Sequence, residues 1–389
     1  MPEKVLELTP LAPLHFGDGR PFALSEGDET HARSLVLPLP HTLANTVRTQ
    51  VALASGVDFR SAAALRQLHG VPVYGPLLFQ NDKPLFPSPL DALFSPERGA
   101  PRLQPLRPWK AGKGRTDLPE GLLPLRPQQA VKAGSAPAFW QREDIRHWLN
   151  DGRAPGRPSS GREPPEEVRT RVRIDTERGA AAEGMLYSVA YRSYEILDKK
   201  DKAYTFRFYT LRARARIEDG IEPQPLGFLG GERRPVHLRA LEGLSNNWWD
   251  APEEIRDLFA SADAFLKADK LVRLVLATPA LFEDGWRPGW LEKSGSGAKH
   301  LPRGLSKVKL RLVAAAVGRR QPVSGWSLRE NRPKPVRWAV PAGSVYFFEV
   351  EDGDPAAVLE SWLRPVSDLE QDRKDGFGLA LWGVGSYAD

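Results

Sequence analysis

Ten prolines fall between Pro84 and Pro127, out of 36 prolines and 34 glycines in the 389 residues. Proline fixes φ and lacks an amide proton, so this density argues against regular structure through that stretch. Residues 81–165 therefore read as an insertion that is ordered or semi-ordered and largely irregular, with a turn-rich linker over Gly152–Pro165. The remaining chain alternates short strand and helix patterns between glycine and proline breaks. That combination points to a loop-rich α+β fold.

Val5–Leu8 reads as a strand closed by Thr9-Pro10. A loop with two glycines follows, from His15 to Arg20. Thr42–Ser55 reads as a helix capped by Thr42, with Leu43, Val47, Val51 and Ala54 as its apolar stripe and Gly56 as its end. Thr42, Asn45 and Arg48 then share another face near the positive end of the helix dipole. Ala138–Asn150 predicts a short helix with Trp140, Trp148 and Leu149 inward. Arg169, Arg171 and Arg173 alternate with Val172 and Ile174. Met185–Ile196 and Tyr204–Ile217 read as a strand pair around the turn Asp198-Lys199-Lys200-Asp201, with Arg212, Arg214 and Arg216 on one face. Pro225–Leu241 continues the sheet through Gly230-Gly231-Glu232-Arg233-Arg234. Glu253–Leu266 predicts an amphipathic helix, Leu271–Ala277 a buried strand, and Lys307–Ala316 and Ser344–Val350 further strands.

Charge is distributed unevenly. The chain carries 55 Lys and Arg against 49 Asp and Glu, a net of +6. Lys299–Arg337 alone holds eleven Lys or Arg against one acid, Glu330, a net of +10. Apolar runs and glycines interleave those charges, unlike a disordered basic tail. A basic surface on a folded core is the usual footprint of a nucleic-acid partner. Arg303, Lys307, Arg319, Arg320 and Lys334 are its candidate RNA ligands, and Trp326 and Trp338 could stack on bases or serve the core.

Several activities find no support. There is no cysteine, which removes disulfides, thiol nucleophiles and cysteine-bound zinc. Histidines are scattered and no paired carboxylates stand at a useful spacing, so neither a metal site nor a catalytic residue is expected. No cofactor is expected. The opening residues lack a signal-peptide pattern and no apolar run spans a membrane, so a cytoplasmic protein is expected. The terminal cluster Gly376-Phe377-Gly378 with Gly383 and Gly385 could bring backbone close to a phosphate; it could equally be a tight turn between strands. It is neither a P-loop nor a dinucleotide fingerprint.

A set of segments in this order resembles one family. They are Leu11-Ala-Pro-Leu-His-Phe-Gly-Asp-Gly-Arg-Pro-Phe22, Pro38-Leu-Pro-His-Thr-Leu-Ala44, Ile174-Asp-Thr176 and Ala182-Glu-Gly-Met-Leu-Tyr187. Leu229-Gly-Gly-Glu-Arg-Arg234, Ala277-Thr-Pro-Ala-Leu-Phe282, Ser324-Gly-Trp-Ser327, Pro333-Lys-Pro335, Val340-Pro-Ala-Gly-Ser-Val-Tyr-Phe-Phe348 and Gly376-Phe-Gly378 complete it. Together they resemble the third subunit of the Cmr complex, the type III-B CRISPR effector, in the RAMP (repeat-associated mysterious protein) superfamily. The resemblance implies two tandem ferredoxin-like (RRM-like) domains, here 1–245 with the insertion and 246–389. It also implies a non-catalytic RNA-binding subunit that holds the 5′ repeat-derived tag of the CRISPR RNA. Such a subunit docks the large Cas polymerase-like subunit and the first Cmr backbone subunit, and meets target RNA indirectly. His15, Arg20, Thr42, Asn45 and Arg48 match regions bordering the RNA cleft, and Gly376, Phe377 and Gly378 match the signature loop. Arg171, Arg173, Arg233 and Arg234 complete the candidate RNA ligands. The family's typical aspartate after Gly-Trp is Ser327 here.

Two alternatives stay open on the sequence alone. One is a metal-independent RAMP endoribonuclease that processes CRISPR RNA, with His15 as general base. The other is an assembly protein whose basic face meets an acidic partner.

Overall fold

A computed structural model of the protein describes residues 2–20, 30–95, 102–110, 116–152, 160–200, 203–242, 249–327 and 331–388. Arg329 and Glu330 of the basic segment, Asp201 of the expected turn, and residues 153–159 of the expected linker lie outside them.

The first sheet begins with β1 (Glu3–Pro10), β2 (Val73–Gln80), β3 (Lys83–Pro87) and β4 (Phe139–Gln141). The next two strands, β5 (Glu166–Asp175) and β6 (Ala180–Arg192), pair with each other outside it. β7 (Glu195–Lys200), β8 (Ala203–Arg216), β9 (Leu226–Leu229) and β10 (Arg234–Leu241) return to it. The order is β9-β10-β1-β8-β2-β3-β4, ended beyond β4 by the two-residue strand Ser160–Gly161, with β7 pairing β8 alongside. Its four central strands, numbered by their succession in the chain, run 4-1-3-2.

Period-two alternation divides this sheet into two faces. Leu6 and Leu8 of β1, Leu78 of β2, and Leu211 and Ala213 of β8 meet Leu43, Val47 and Val51 of helix α1 (Pro40–Ala54) in one buried layer. Val5, Leu77 and Phe79 point the other way, into a core shared with the C-terminal half. That core includes β11 (Leu271–Leu276), where all six residues are buried. β11 lies in the second sheet with β12 (Val308–Ala316), β15 (Val345–Gly353) and β16 (Ala380–Gly385), ordered β12-β15-β11-β16. Numbered by chain succession this is 2-3-1-4, the same order read from the other edge. Between β12 and β15 in sequence lies a small ribbon of β13 (Gln321–Val323) and β14 (Arg337–Ala339).

Several expectations need correction. Helix α1 starts at Pro40, its N-cap residue is Leu39 and no side chain caps it. Proline in the first turn lacks the amide proton that would otherwise be orphaned there, so the helix begins upstream and Thr42 lies inside it. The strand partner of β8 is β7; β6 pairs β5 instead. The proline-rich stretch does carry regular structure: β3, a three-stranded piece from Ala92–Ser95, Arg102–Pro108 and Leu125–Pro127, and β4. These strands are short, and prolines sit at strand ends or in peripheral pairs, where a missing donor is tolerated. The expected helix over 138–150 begins only at Arg142, forming α2 (Arg142–Leu149), but Trp140, Trp148 and Leu149 are all fully buried. The expected helix over Glu253–Leu266 is two pieces, α3 (Glu253–Asp257) and α4 (Ala262–Lys267), the second capped by Ser261.

The three arginines of β8 are structural. Glu7, 2 % exposed, accepts hydrogen bonds from Arg212 Nε at 2.8 Å and from Arg239 Nε and Nη2 at 3.0 and 2.6 Å. Glu3 is held by Arg364 at 2.9 and 3.1 Å, with Arg214 and Arg216 each 3.4 Å away. Burial raises the carboxyl pKa of both glutamates, but these hydrogen bonds and charges outweigh it and hold both below the usual value of 4.5. The unfolded chain therefore binds protons at these groups before the folded one does. Their stabilisation is complete above pH 4.5 and is lost as pH falls through their lower folded values. The urea midpoint should hold steady down to about pH 5 and drop below it. Glu7→Gln should lower the neutral-pH midpoint and flatten that drop; an equally steep drop in the variant would show that other carboxylates control it.

Candidate nucleic-acid interface

Four stretches far apart in sequence converge on one region. The loop of His15–Arg20 follows β1, and a Cβ added to Gly19 would lie 3.5 Å from Pro322 of β13. The start of α1 reaches the same ribbon: a Cβ on Gly325 would lie 3.6 Å from His41 Nε2, and the His41 ring stacks on Phe377 with centroids 5.7 Å apart. Beneath them Leu39, Leu281, Val323, Ala339 and Phe377 form a small separate core. This core fixes the helix start, the ribbon and the 375–378 turn relative to one another, and the loop meets them through Gly19 and Pro322.

A second cluster adjoins the same loop. The His15 ring meets Tyr191 edge-on at 5.9 Å, and its Nδ1 lies 2.8 Å from the Ala190 carbonyl. Around Tyr191 stand the guanidiniums of Arg169, Arg171 and Arg234, at 5.1, 5.6 and 4.5 Å from the ring centroid. Arg171 donates to the Tyr191 hydroxyl at 2.6 Å, and that hydroxyl donates to Glu232 at 2.7 Å. Burial together with the Glu232 contact raises the Tyr191 pKa, so its hydroxyl keeps its proton as a donor. Glu232 also accepts from Arg234 at 2.7 Å. Burial works to raise the Glu232 pKa, but hydrogen bonds from Tyr191 and Arg234 hold it low, so the carboxylate stays charged and orients the arginines. Gly230 is required here: at φ 76°, a Cβ would come 2.4 Å from the His15 carbonyl oxygen.

The expected site residues divide into three groups. His15, Arg171 and Arg234 come together around Tyr191, Arg233 lies 4.9 Å over the Phe228 ring, and Arg173 stands exposed farther along β5. Arg20, Asn45, Arg319, Arg320 and Lys334 are exposed and Thr42 is half-buried. Arg20 pairs with Asp18 at 3.2 Å, and Arg320 lies 4.2 Å over the ring of Trp338, which is itself 46 % exposed. Among the described residues Arg319 and Lys334 make no ion pair.

Of the remaining residues all but Arg303, which is exposed, are interior or paired with an acid. Arg48 is 2 % exposed: its Nε and Nη2 donate to the Val71 carbonyl at 2.9 and 2.8 Å, and its Nη1 meets Asp375 at 2.5 Å. It joins α1 to the turn after α5 (Glu370–Lys374), inside the protein. Phe377 is 2 % exposed, and the glycines beside it are buried with it. Gly376 and Gly378 have φ of 89° and 79°, and a Cβ on either would press into backbone or the Ser367 side chain. The cluster is therefore the tight turn between α5 and β16, and its backbone lies against protein atoms. Arg303 and Lys307 lie by the 355–361 turn, where Lys307 pairs with Glu360 at 2.6 Å.

Acids outside the basic segment offset much of its charge. Besides Lys307, Lys309 pairs with Glu351 at 3.1 Å, Arg311 with Glu349 and Glu351, and Arg337 with Asp372 at 2.6 Å. A local charge count cannot see partners that arrive from later strands. Reasoning on sequence also passed over Arg169, Tyr191 and Glu232 as site residues. Arg169 shares the alternation of β5, so it carried a usable signal; Tyr191 carried none.

No helix among the described residues is long and apolar enough to cross a membrane, and none of their His, Asp or Glu side chains group to hold a metal ion. Comparison with solved structures gives distant likenesses. A type III-B Cmr-beta complex bound to cognate target RNA contains a chain 17 % identical, covering 88 % of this chain and 86 % of that one, with a TM-score of 0.46. The same complex with target RNA and AMPPnP, state 1, gives 18 % identity, coverage of 88 % and 86 %, and a TM-score of 0.44. A Csm3-Csm4 subcomplex of the type III-A CRISPR-Cas interference complex gives 9 % identity, coverage of 90 % and 94 %, and 0.32. A search of curated proteins returned no match. The family model described as CRISPR-associated protein (Cas_Cmr3) matches residues 6–385, nearly the whole chain. The chain belongs to that family, the one its ordered motifs resemble.

Proposed function

We propose that the protein is the non-catalytic RNA-binding subunit of a type III-B CRISPR effector and holds the 5′ tag of the CRISPR RNA. In this reading it bridges the large Cas polymerase-like subunit to the Cmr backbone, and its two halves, 1–245 and 246–389, are ferredoxin-like units. The shared 4-1-3-2 strand order of the two central sheets supports the last point.

One observation carries the proposal: the His15–Arg20 loop and the start of α1 both approach the β13–β14 ribbon, and exposed Arg20 and Lys334 stand on these pieces. In this reading Arg20, Asn45, Thr42, Arg319, Arg320 and Lys334 line one part, and Arg171, Arg233 and Arg234 the other, with Arg173 extending it along β5. A single strand needs phosphate ligands together with faces on which bases stack, and Trp338 and the ring of His15 stand among the cations. Arg48, Gly376, Phe377 and Gly378 act behind that surface by setting its shape.

Charge reversal at Arg319 and Arg320 tests it. Anisotropy with a tag RNA oligonucleotide should show at least tenfold weaker binding. The slope of log K against log salt should fall by about 1.4, at about 0.7 for each single-strand phosphate that is no longer neutralised. R303E/K307E, at the 355–361 turn, should change both much less. If the first pair leaves affinity and salt slope unaltered in a folded protein, RNA binds elsewhere.

A further inference from the structure

The insertion and the second sheet enclose an apolar groove beside the RNA surface, with which it shares Arg320 and Trp338. Its volume is about 910 Å³, and Leu118, Leu122, Leu125, Trp286, Val317 and Trp338 are among the residues that line it. Its charged lining is Asp117 and Arg320. The groove lies against β12, which is the terminal strand of its sheet and has a strand neighbour, β15, on one side only. The insertion reaches that edge at Val313, whose carbonyl accepts from the Leu123 amide at 2.7 Å. Beyond Val313, alternate residues Ala315 and Val317 line the groove.

We propose that this groove receives an extended segment of a protein partner, which adds as a strand to the edge of β12. Apolar side chains at alternate positions enter the groove, and an acidic residue of the segment meets Arg320. Three observations select this occupant. A sheet edge with no second strand partner is a template for another chain's backbone, and alternate side chains then supply specificity. The lining is largely aliphatic, and its volume admits a run of side chains, where a single extruded base would need mainly aromatic faces and polar groups. Arg320, the one cation of the lining, makes no ion pair among the described residues, so an acid is favoured over a base.

Hydrogen exchange on the full chain tests this in three states: free, with tag RNA alone, and co-purified with co-expressed Cmr subunits. The edge-facing amides within residues 314–317 should gain at least tenfold protection in the assembly and none with RNA alone. A benzoylphenylalanine in place of Leu118, which is 39 % exposed, should crosslink to a partner peptide with alternating apolar residues and an acid. Leu118→Asp should reduce partner retention while the free chain binds tag RNA as before. Protection by RNA alone would reassign the groove to bases and overturn the proposal. So would unchanged amides in the assembly, or a chain that co-purifies with no subunit. The RNA affinity of the free chain is a separate readout, so failure here leaves the RNA reading intact, and the reverse holds.

Discussion

Asp91→Ala is expected to cost about 3–5 kcal/mol of folding stability, the largest loss foreseen for a single change outside the apolar core. Asp91 belongs to the proline-rich insertion and is fully buried. It accepts a hydrogen bond from Trp148 Nε1 of α2 at 2.8 Å and one from Arg273 of β11 at 3.0 Å. Arg273 is 1 % exposed, and its Nε and Nη2 have no hydrogen-bond partner among the described residues. Burial pushes the Asp91 carboxyl pKa up and the Arg273 guanidinium pKa down, so each charge depends on the other. Removing the carboxylate strands a buried cation and the Trp148 N–H together. The pair also fastens the insertion to the second sheet, so the loss should appear in the global urea transition. Asp91→Ala with Arg273→Met should recover part of it, because a buried pair replaced by apolar groups is often near neutral. A loss under about 1 kcal/mol for the single variant would mean the insertion is held by its apolar contacts alone.

The second large effect is at the terminal glycine turn. Gly378→Val should destabilise the fold by about 2–4 kcal/mol, from a strained positive φ plus overpacking. Gly376→Val should cost at least as much, since its Cβ would come 2.7 Å from the Gly75 carbonyl oxygen and 2.8 Å from that of Val73. Each variant's folded fraction, measured at low temperature, should bind tag RNA with near wild-type affinity. Lost affinity with an unchanged melting temperature would return these glycines to the RNA surface. The expectation from sequence ran toward RNA contact, because a glycine's freedom looks the same whether it admits a phosphate or a neighbouring strand. Here the neighbour is β2 and the Ser367 segment.

Arg48 shows the same limit. Its place on α1 followed from helical spacing, and its charge suggested a ligand. Which face of α1 looks outward depended on where β2 and the 374–376 turn lie. Asn45 and Thr42, on the face that stayed out, kept their place at the surface. The basic segment behaved likewise. Among the described residues Arg319, Arg320 and Lys334 remain unpaired by acids, whereas Lys307, Lys309, Arg311 and Arg337 meet carboxylates from β15, the 355–361 turn and α5.

Local pattern alone settled a good deal. The short strand β1, the alternation in β8, the apolar run of β11 and the Leu43-Val47-Val51 stripe are short-range properties, because a side chain's face follows from strand or helix period. Ordered motifs likewise identified the family over nearly its full length. The tertiary structure alone decided which arginines are surface cations and which are struts. An ion pair is made across space, and Glu7 reaches Arg212 and Arg239 over more than 200 positions of chain. It also decided the fate of the prolines. Strand pairing depends on which neighbour offers an edge, and short peripheral strands could form where their missing donors face outward.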